Sequence, residues 1–348
     1  MTKKKKKIIS FLLFISLTLI SSVGIGIYKV FFQNNIVLPY NETETYIYIK
    51  TGSSYQDVIR TLDTLNIIKN FTTFKILARI KKYNQHIKPG KYLIKSNMNN
   101  NQLIDMLRMG KQVPVKLIFN NNIRTKKELI DIVTKKLEVD SLSLYQTFEN
   151  NSLYEPWGFN SHNILCMFIP NTYEFYWNTN SVSFFERMYK EYKKFWNIQR
   201  LEKAKKANLS PIEITILASI VLQETKKIDE MPKIAGVYIN RLKKDMPLQA
   251  DPTVVYAIGD FSIKRVLKKH LEIDSPYNTY KYKGLPPGPI CLPDPVTIDK
   301  TLDYEQHNYL FFCAKEDFSG YHNFAETIAQ HQQNALKYKI ALNKKNIK

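Results

Sequence analysis

One carboxyl group in this sequence occupies an unusual position for a charged side chain. Glu224 lies near the end of the segment PIEITILASIVLQETK, residues 211–226, for which the pattern predicts a helix. It follows Leu217, Ile220 and Val221 by seven, four and three residues, spacings that place it on their apolar helix face. Burial on that face would raise the pKa of the carboxyl group, as a general acid near neutral pH requires. Glu224 is therefore a candidate acid catalyst, although a glutamate near a helix end is more often a surface residue.

Two downstream segments combine polar and aromatic residues in a way that suits a sugar. They are MPLQADPTVVYAIGD, residues 246–260, and SPYNTYKYKGLPPGPI, residues 275–290. Sugars offer hydroxyl groups, acetamides and apolar C–H faces to neutral hydrogen-bonding side chains and aromatic rings. By composition alone, a proline-stiffened loop without a ligand is the simpler interpretation. The candidate substrate-binding residues are Gln249, Asp251, Thr253, Tyr277, Asn278, Thr279, Tyr280 and, further along, His322, for which a structural hydrogen bond is an equal alternative.

Motifs of other common chemistries are absent from the sequence. There is no G-x-x-x-x-G-K-[ST], G-x-G-x-x-G, H-E-x-x-H or G-x-S-x-G pattern. The cysteines, Cys166, Cys291 and Cys313, are odd in number and include no C-x-x-C pair. Neither a disulfide framework nor a zinc site is therefore indicated. We predict no metal and no cofactor.

The charge balance leaves several classes of partner open. Lysine and arginine number 51 against 31 acidic residues, which gives a formal charge of +20. A basic surface could favour nucleic acid, anionic lipid headgroups or an anionic cell-wall polymer, and it could equally consist of solvated lysines. Charge alone does not choose among these possibilities.

The N-terminal sequence narrows the choice of partner. Residues 3–7 are all lysine, and residues 8–28 contain no charged residue. A helix of that length rises roughly 30 Å, the thickness of the hydrocarbon core. A cleaved signal peptide is the rival interpretation, but its apolar core is typically about 7–15 residues, and no convincing A-x-A site follows here. We predict a retained single-pass anchor in the cytoplasmic membrane, with the N-terminus inside and the bulk of the chain outside, away from nucleic acid.

The segment after this anchor has the pattern of a small β-α-α-β module. Strands are predicted at 45–50 and 91–95, with two amphipathic helices between them and Ser53 as the first helix cap. A further helix over residues 99–109 is predicted to end at Gly110. The module is similar to LysM wall-binding modules, although this pattern is short. A packing or spacer domain is an equal alternative.

The remaining chain predicts a mixed α/β domain, so the fold class is α+β. A strand is predicted at 113–119, a helix at 125–137 and one long helix at 182–206, before the helix that begins at Pro211. The predicted boundaries are a cytoplasmic tail (1–7), a transmembrane anchor (8–28), a linker (29–44), the LysM-like module (45–112), the catalytic domain (113–340) and a C-terminal tail (341–348).

Several long motifs occur in an order that resembles one known family. The runs LASIVLQET, IAGVYINRL, MPLQADPTVVYAIGD, SPYNTYKYKGLPPGPI and HNF are similar to the MltG (YceG-like) family of endolytic murein transglycosylases. The resemblance covers nearly the whole chain. The family helix typically reads A-S-I-V-E-x-E-T, whereas this sequence has Leu222 at the first glutamate and keeps only the second, Glu224. Because E-T or E-S is the usual catalytic pair of transglycosylases, the resemblance assigns the catalytic role to Glu224.

The resemblance implies a specific reaction on peptidoglycan. Glu224 would protonate the glycosidic oxygen between N-acetylmuramic acid (MurNAc) and N-acetylglucosamine (GlcNAc), and would then act as a base toward the muramic C6 hydroxyl. The product would be a 1,6-anhydroMurNAc end on a nascent glycan strand, an end that could terminate strand elongation. Peptidoglycan strands and the membrane are the implied partners, with peptidoglycan synthases as further candidates.

Two other functions fit the same sequence. A non-catalytic peptidoglycan-binding scaffold on the same fold is the alternative that Leu222 motivates. A polysaccharide hydrolase would use water, rather than the C6 hydroxyl, as the nucleophile and would leave reducing ends. The identity of the product ends distinguishes all three functions.

Overall fold

The fold combines helices with short paired strands, as a computed structural model describing residues 2–39 and 42–344 shows. The strands form two-stranded sheets, so the predicted mixture of helices and strands is confirmed. The chain divides into two compact units. Unit 1 extends to Lys116 and also includes Lys136–Glu138 and Glu174–Thr179, and unit 2 comprises the remainder.

Unit 1 begins with a long helix, α1 (Lys3–Phe31), none of whose residues is buried. By length and composition, α1 is the single helix within the described part of the chain that could cross a membrane. It contains the whole of the predicted span, residues 8–28. The lysines of residues 3–7 belong to the same helix.

The predicted β-α-α-β order of elements follows this helix. Strand β1 (Glu44–Ile49) pairs antiparallel with β2 (Gly90–Lys95), with Glu44 opposite Lys95 and Ile49 opposite Gly90. Between these strands in the sequence are α2 (Tyr55–Thr64) and α3 (Phe71–Ile80), and α4 (Asn100–Met109) comes after them. In β1 the alternate residues Ile47 and Ile49 are buried, as expected for a strand with one face on a core.

Local hydrogen bonds determine where these helices begin and end. The cap of α2 is Ser54, one residue later than predicted. Its hydroxyl accepts a hydrogen bond from the Asp57 backbone N–H, and the Asp57 carboxylate accepts one from the Ser54 N–H. Gly110 ends α4 in the left-handed conformation, with φ 71°, as predicted.

Part of the predicted linker belongs to the core of unit 1. Ile36 and Leu38 are 0% and 5% exposed, and the Asn35 amide donates a hydrogen bond to Oδ1 of Asn100 at 2.7 Å. These residues gain packing and hydrogen bonds that a solvated linker would lack. The described part of the segment is therefore structured, and residues 40–41 lie outside the described residues.

The elements that complete the chain are mostly helical. They are β3 (Val115–Ile118), α5 (Lys126–Thr134), α6 (Ser141–Glu149), α7 (Asn151–Tyr154), β4 (Thr172–Phe175), α8 (Ser181–Phe195), α9 (Ile198–Lys206), α10 (Pro211–Glu224), α11 (Met231–Lys243), α12 (Asp251–Ile258), α13 (Pro295–Leu302), β5 (Phe311–Ala314), β6 (His322–Ala325) and α14 (Ile328–Lys344). Strand β3 pairs with β4, and β5 pairs antiparallel with β6. Of the predicted C-terminal tail, residues 341–344 belong to α14 and residues 345–348 lie outside the described residues.

The single helix predicted over residues 182–206 is wrong, because the structure contains two helices, α8 and α9. Trp196 leaves the helical conformation, with φ −79° and ψ 67°. The side chain of Asn197 then accepts a hydrogen bond from the Arg200 N–H and caps α9. An asparagine side chain competes with the helix for backbone hydrogen bonds. A prediction based on apolar periodicity does not take this competition into account.

Helix α10 packs against α11, α12 and α13 within unit 2. At its start the Ser210 and Glu213 side chains cap each other's backbone N–H groups. From Ile214 to Leu222 every residue is buried. This stretch therefore has no solvated face, whereas the sequence predicted an apolar face on one side only.

Candidate active site

Glu224 is the last residue of α10. The next residue, Thr225, is extended, with φ −141° and ψ 148°, so the helix stops two residues before its predicted end. Glu224 is half-buried, immediately after the buried stretch of the helix. Its carboxyl group therefore stands at the C-terminal end of α10, where the helix dipole disfavours negative charge.

A tyrosine from the neighbouring helix holds this carboxyl group. The hydroxyl of Tyr238, on α11, donates a hydrogen bond to Oε1 of Glu224 at 2.7 Å. Tyr238 is 1% exposed, and burial raises its pKa well above the usual value of 10. The hydroxyl therefore remains protonated and serves as a fixed donor to one carboxyl oxygen.

The pKa of Glu224 is raised from its usual value of 4.5 to about 7. Burial is the largest cause, and the negative charge of Asp251 acts in the same direction. The hydrogen bond from Tyr238 and the charge of His322 oppose the rise. Near neutral pH both protonation states of Glu224 are populated, so the group can donate a proton and later accept one.

Two cavities of about 300 and 290 Å³ meet at this carboxyl group. Glu224 and Asp251 line both of them. The lining of the first also includes Arg124, Gln223, Tyr256, Phe261 and Lys264, and that of the second includes Tyr238, Arg241, Gln249, Tyr280 and Phe312. This arrangement suits an extended ligand that passes the carboxyl group on both sides.

Three of the predicted substrate-binding residues line the second cavity, namely Gln249, Asp251 and Tyr280. Asp251 begins α12 and accepts a hydrogen bond from the Tyr280 hydroxyl at 2.5 Å. Gln249 has φ 52°, in the left-handed region, and its backbone N–H donates to the Thr279 carbonyl. The buried guanidinium of Arg241 donates to Oε1 of Gln249 and to the carbonyls of residues 247 and 248. These contacts hold the loop in place.

Three other predicted residues lie inside the protein. Thr253, Asn278 and Thr279 are 0%, 0% and 1% exposed. The Thr279 hydroxyl accepts a hydrogen bond from the Ala250 N–H and lies 2.8 Å from the Thr253 hydroxyl. The side chain of Asn278 likewise forms hydrogen bonds with backbone groups of its own loop. These side chains shape the cleft rather than line it, because their polar atoms are already paired.

The last two predicted residues pack against lining residues. The Tyr277 ring lies 4.7 Å from the ring of Tyr256. His322 packs edge-on against Phe312, with ring centroids 5.2 Å apart. Glu230, which is 6% exposed, accepts a hydrogen bond from the His322 backbone N–H and lies 2.7 Å from its Nδ1. The histidine therefore has the structural hydrogen bond considered as its alternative role.

Sequence reasoning missed Tyr238 and Arg241, although the motif VYINRL contains both. A buried tyrosine hydroxyl needs a hydrogen-bond partner. This requirement could have indicated that Tyr238 contacts a polar side chain. The partner's identity depends on how α10 and α11 pack. Arg124 and Phe261, which line the first cavity, carry no comparable local signal. Within residues 2–39 and 42–344, no group of three or more His, Cys, Asp or Glu side chains is arranged to hold a metal ion.

The chain thus has an α+β fold with a half-buried glutamate where two cavities meet. The chain belongs to the YceG-like family, which it matches over residues 47–337. The resemblance inferred from the motifs is thus confirmed.

Relatives with names provide a closer comparison. An endolytic murein transglycosylase of Bacillus subtilis (strain 168) is 43% identical over 141 residues, which cover 40% of this chain and 38% of that protein. Another from Streptococcus pneumoniae (strain R6) is 26% identical and covers 96% of this chain and 65% of its own length. This chain therefore spans less than two thirds of the length of these curated relatives. The crystal structure of a YceG-like protein from Listeria monocytogenes has a TM-score of 0.54 and 28% identity, covering 84% of this chain and 98% of that one.

Proposed function

We propose that this protein is a membrane-anchored endolytic murein transglycosylase. The observation that carries the proposal is the carboxyl group of Glu224, which has a pKa of about 7 and lies where two cavities meet. Relatives named endolytic murein transglycosylase support the substrate and the class of reaction. Space on both sides of the acid suits cleavage within a strand rather than at its end.

The proposed reaction uses the carboxyl group of Glu224 twice, first as an acid and then as a base. Glu224 first donates its proton to the glycosidic oxygen between MurNAc and GlcNAc, the bond from that oxygen to C1 of MurNAc breaks, and GlcNAc leaves with a hydroxyl group. The carboxylate then accepts the proton of the C6 hydroxyl of the same MurNAc, whose oxygen bonds to C1. No water is consumed, a 1,6-anhydroMurNAc end forms, and Glu224 regains its starting protonation state.

A single carboxyl group is sufficient for this chemistry. Hydrolytic glycosidases pair an acid with a second carboxylate that activates water or acts as the nucleophile. Here the nucleophile belongs to the substrate, and its closeness to C1 lowers the entropic barrier. Because Tyr238 donates to Oε1 of Glu224, we assign the transferred proton to Oε2.

The structure weakens the argument for a non-catalytic scaffold. That alternative rested on Leu222, which stands where the family helix typically has its first glutamate. Leu222 is 3% exposed and belongs to the buried stretch of α10. A leucine at this position therefore leaves the acid at the cavities untouched.

The loops and the rest of the chain have proposed roles as well. We assign direct sugar contacts to Gln249, Asp251 and Tyr280, and we assign Thr253, Asn278 and Thr279 to holding those three in place. The catalytic domain is proposed to comprise residues 113–340, and residues 45–112 are proposed as a LysM-like module that binds the glycan. We also propose that this cleavage terminates strand elongation and that the protein associates with peptidoglycan synthases.

The proposed location is the outer face of the cytoplasmic membrane, with α1 as the anchor. The lysines of residues 3–7 favour a cytoplasmic N-terminus. A protease added to intact spheroplasts should then degrade the C-terminal part of the chain. A C-terminus that is cleaved only after lysis would contradict this orientation.

The function is tested by the chemistry of the product ends. The purified protein should convert peptidoglycan sacculi into fragments with 1,6-anhydroMurNAc ends, each lighter by one water than the hydrolysis product in mass spectrometry. Reducing ends would indicate a hydrolase. Intact sacculi that retain bound protein would indicate a scaffold.

Tyr238→Phe should move the alkaline limb of the pH–activity profile to higher pH. The tyrosine hydrogen bond favours the ionised form of Glu224, so its loss raises the pKa of Glu224 above about 7. Asp251 and His322, the other side chains that act on the pKa of Glu224, are unchanged in the variant. Glu224 then stays protonated to higher pH, which kcat/KM measured across the pH range reports.

A matched control separates this effect from the general loss of a tyrosine hydroxyl. Tyr282 is 46% exposed and donates a hydrogen bond to the Asp274 carboxylate at 2.7 Å. Tyr282→Phe should leave the alkaline limb in place. A limb that does not move in Tyr238→Phe would show that this hydrogen bond does not tune the acid.

A further inference from the structure

The first cavity is lined by two cations whose side chains form no salt bridge with the described residues. Arg124 and Lys264 both line it, and no salt bridge to either is formed among the described residues. The guanidinium of Arg124 lies over the ring of Phe261, 4.3 Å from its centroid. Its Nη2 also donates to Oε1 of Gln223 at 3.4 Å, a long contact. These contacts position the guanidinium at the cavity and leave further N–H donors for a ligand.

The charges around this cavity favour an anion. The acidic groups that line it are Glu224 and Asp251. When Glu224 carries the proton that the reaction requires, two cations face the single carboxylate of Asp251. The carboxylate of Asp251 already accepts a hydrogen bond from Tyr280. Among the lining side chains the positive charges then outnumber the negative ones, although the Glu128 carboxylate, which accepts a hydrogen bond from the Arg124 backbone N–H, lies just outside the lining. A positive lining attracts negative ligands.

We propose that this cavity binds a carboxylate of the stem peptide carried by the muramic residues, an inference that rests on the proposed function. The sugar rings of a strand carry hydroxyl and acetamide groups and no charge, so the sugars alone do not explain two cations. The strand's carboxylates belong to the peptide attached to the lactyl group of MurNAc. The planar guanidinium of Arg124 matches the geometry of a carboxylate.

This contact would also set the register of the strand. MurNAc and GlcNAc alternate and have similar rings, so a glycan can enter a cleft with either sugar beside the acid. The peptide occurs on MurNAc alone. A cation pair that binds its carboxylate therefore favours one of the two registers, and Arg124 becomes a residue that determines specificity.

The test compares sacculi that have free carboxylates with sacculi whose carboxylates have been converted to amides by carbodiimide and ammonia. Full-length protein in detergent is sedimented with each preparation, and anhydro ends are counted in parallel. Wild type should bind and cleave the amidated form roughly tenfold less well, the effect of losing one charge-assisted contact. Arg124→Ala should lose most of this preference, and Lys264→Ala, which removes an exposed cation of the lining, should lose a smaller part.

The matched control is Arg265→Ala, which removes an exposed cation outside the cavity lining and should keep the tenfold preference. Undiminished discrimination in Arg124→Ala would overturn the inference, as would a wild type that treats both preparations alike. Because binding and cleavage are measured separately, the two proposals can fail independently. Discrimination in binding without any anhydro ends would contradict the proposed function alone, and anhydro ends without discrimination would contradict the carboxylate site alone.

Discussion

Glu224→Gln is expected to abolish the formation of 1,6-anhydroMurNAc ends while leaving the fold intact. The amide is nearly isosteric with the carboxyl group, and its oxygen can still accept the hydrogen bond from Tyr238. It cannot donate a catalytic proton, and positioned acid–base catalysis contributes about 10²–10⁴-fold in rate. Because the same group acts first as an acid and then as a base, we expect a loss near the upper end of that range.

The control for this variant is Glu213→Gln, on the same helix. Glu213 is exposed and accepts a hydrogen bond from the Ser210 N–H at the start of α10. A glutamine oxygen can accept the same bond, so this variant should be close to wild type. Normal yields of anhydro ends from Glu224→Gln, measured by mass spectrometry of digested sacculi, would refute the mechanism.

The same variant should change how stability depends on pH. Glu224 has a folded-state pKa of about 7 against a usual value of 4.5, so between these values the folded state binds more protons than the unfolded state. Wild-type stability from this group is therefore full below about pH 4.5 and falls as the pH rises toward about 7. The glutamine of the Glu224→Gln variant does not titrate, so the variant does not lose this contribution to stability as the pH rises. Its melting temperature relative to wild type should be higher at about pH 8 than at about pH 5.

Asn278→Ala is expected to destabilise the protein strongly. The sequence alone predicts that Asn278 contacts sugar, but the side chain is 0% exposed. Its amide donates to the carbonyls of Leu271 and Ile273, and its Oδ1 accepts from the Tyr280 N–H. Each buried polar group left without a partner costs about 1–3 kcal/mol. The free energy of unfolding from urea titration should therefore fall by several kcal/mol, on the order of 3–5.

A second variant in the same loop should affect turnover rather than stability. Tyr280→Phe removes a hydroxyl that lines the second cavity and donates to Asp251, and no buried backbone group loses its partner. We expect reduced turnover with little change in unfolding free energy. If the Asn278→Ala variant kept wild-type stability but lost turnover, Asn278 would contact the substrate, as the sequence predicted.

The sequence by itself determined the features that depend on near neighbours in the chain. Gly110 ends α4 because a residue without a side chain adopts φ 71° without strain, and Pro211 starts α10 because its fixed φ suits a first helical position. Helical spacing against apolar residues predicted only the direction of the shift in the pKa of Glu224, which burial in the folded protein causes. A helix stop at glycine and a helix start at proline depend on the conformation of one residue, so the order of amino acids is enough to predict these two features.

Only the tertiary structure decided which polar residues face the cleft and which are buried. Asn278 and Tyr280 are two residues apart and chemically plausible for sugar binding, yet one pairs with backbone carbonyls and the other lines a cavity. The partner of Glu224 was equally undetermined, because Tyr238 meets it through the packing of two helices. Loop side chains take their direction from hydrogen bonds to distant segments. A local pattern contains no information about those bonds.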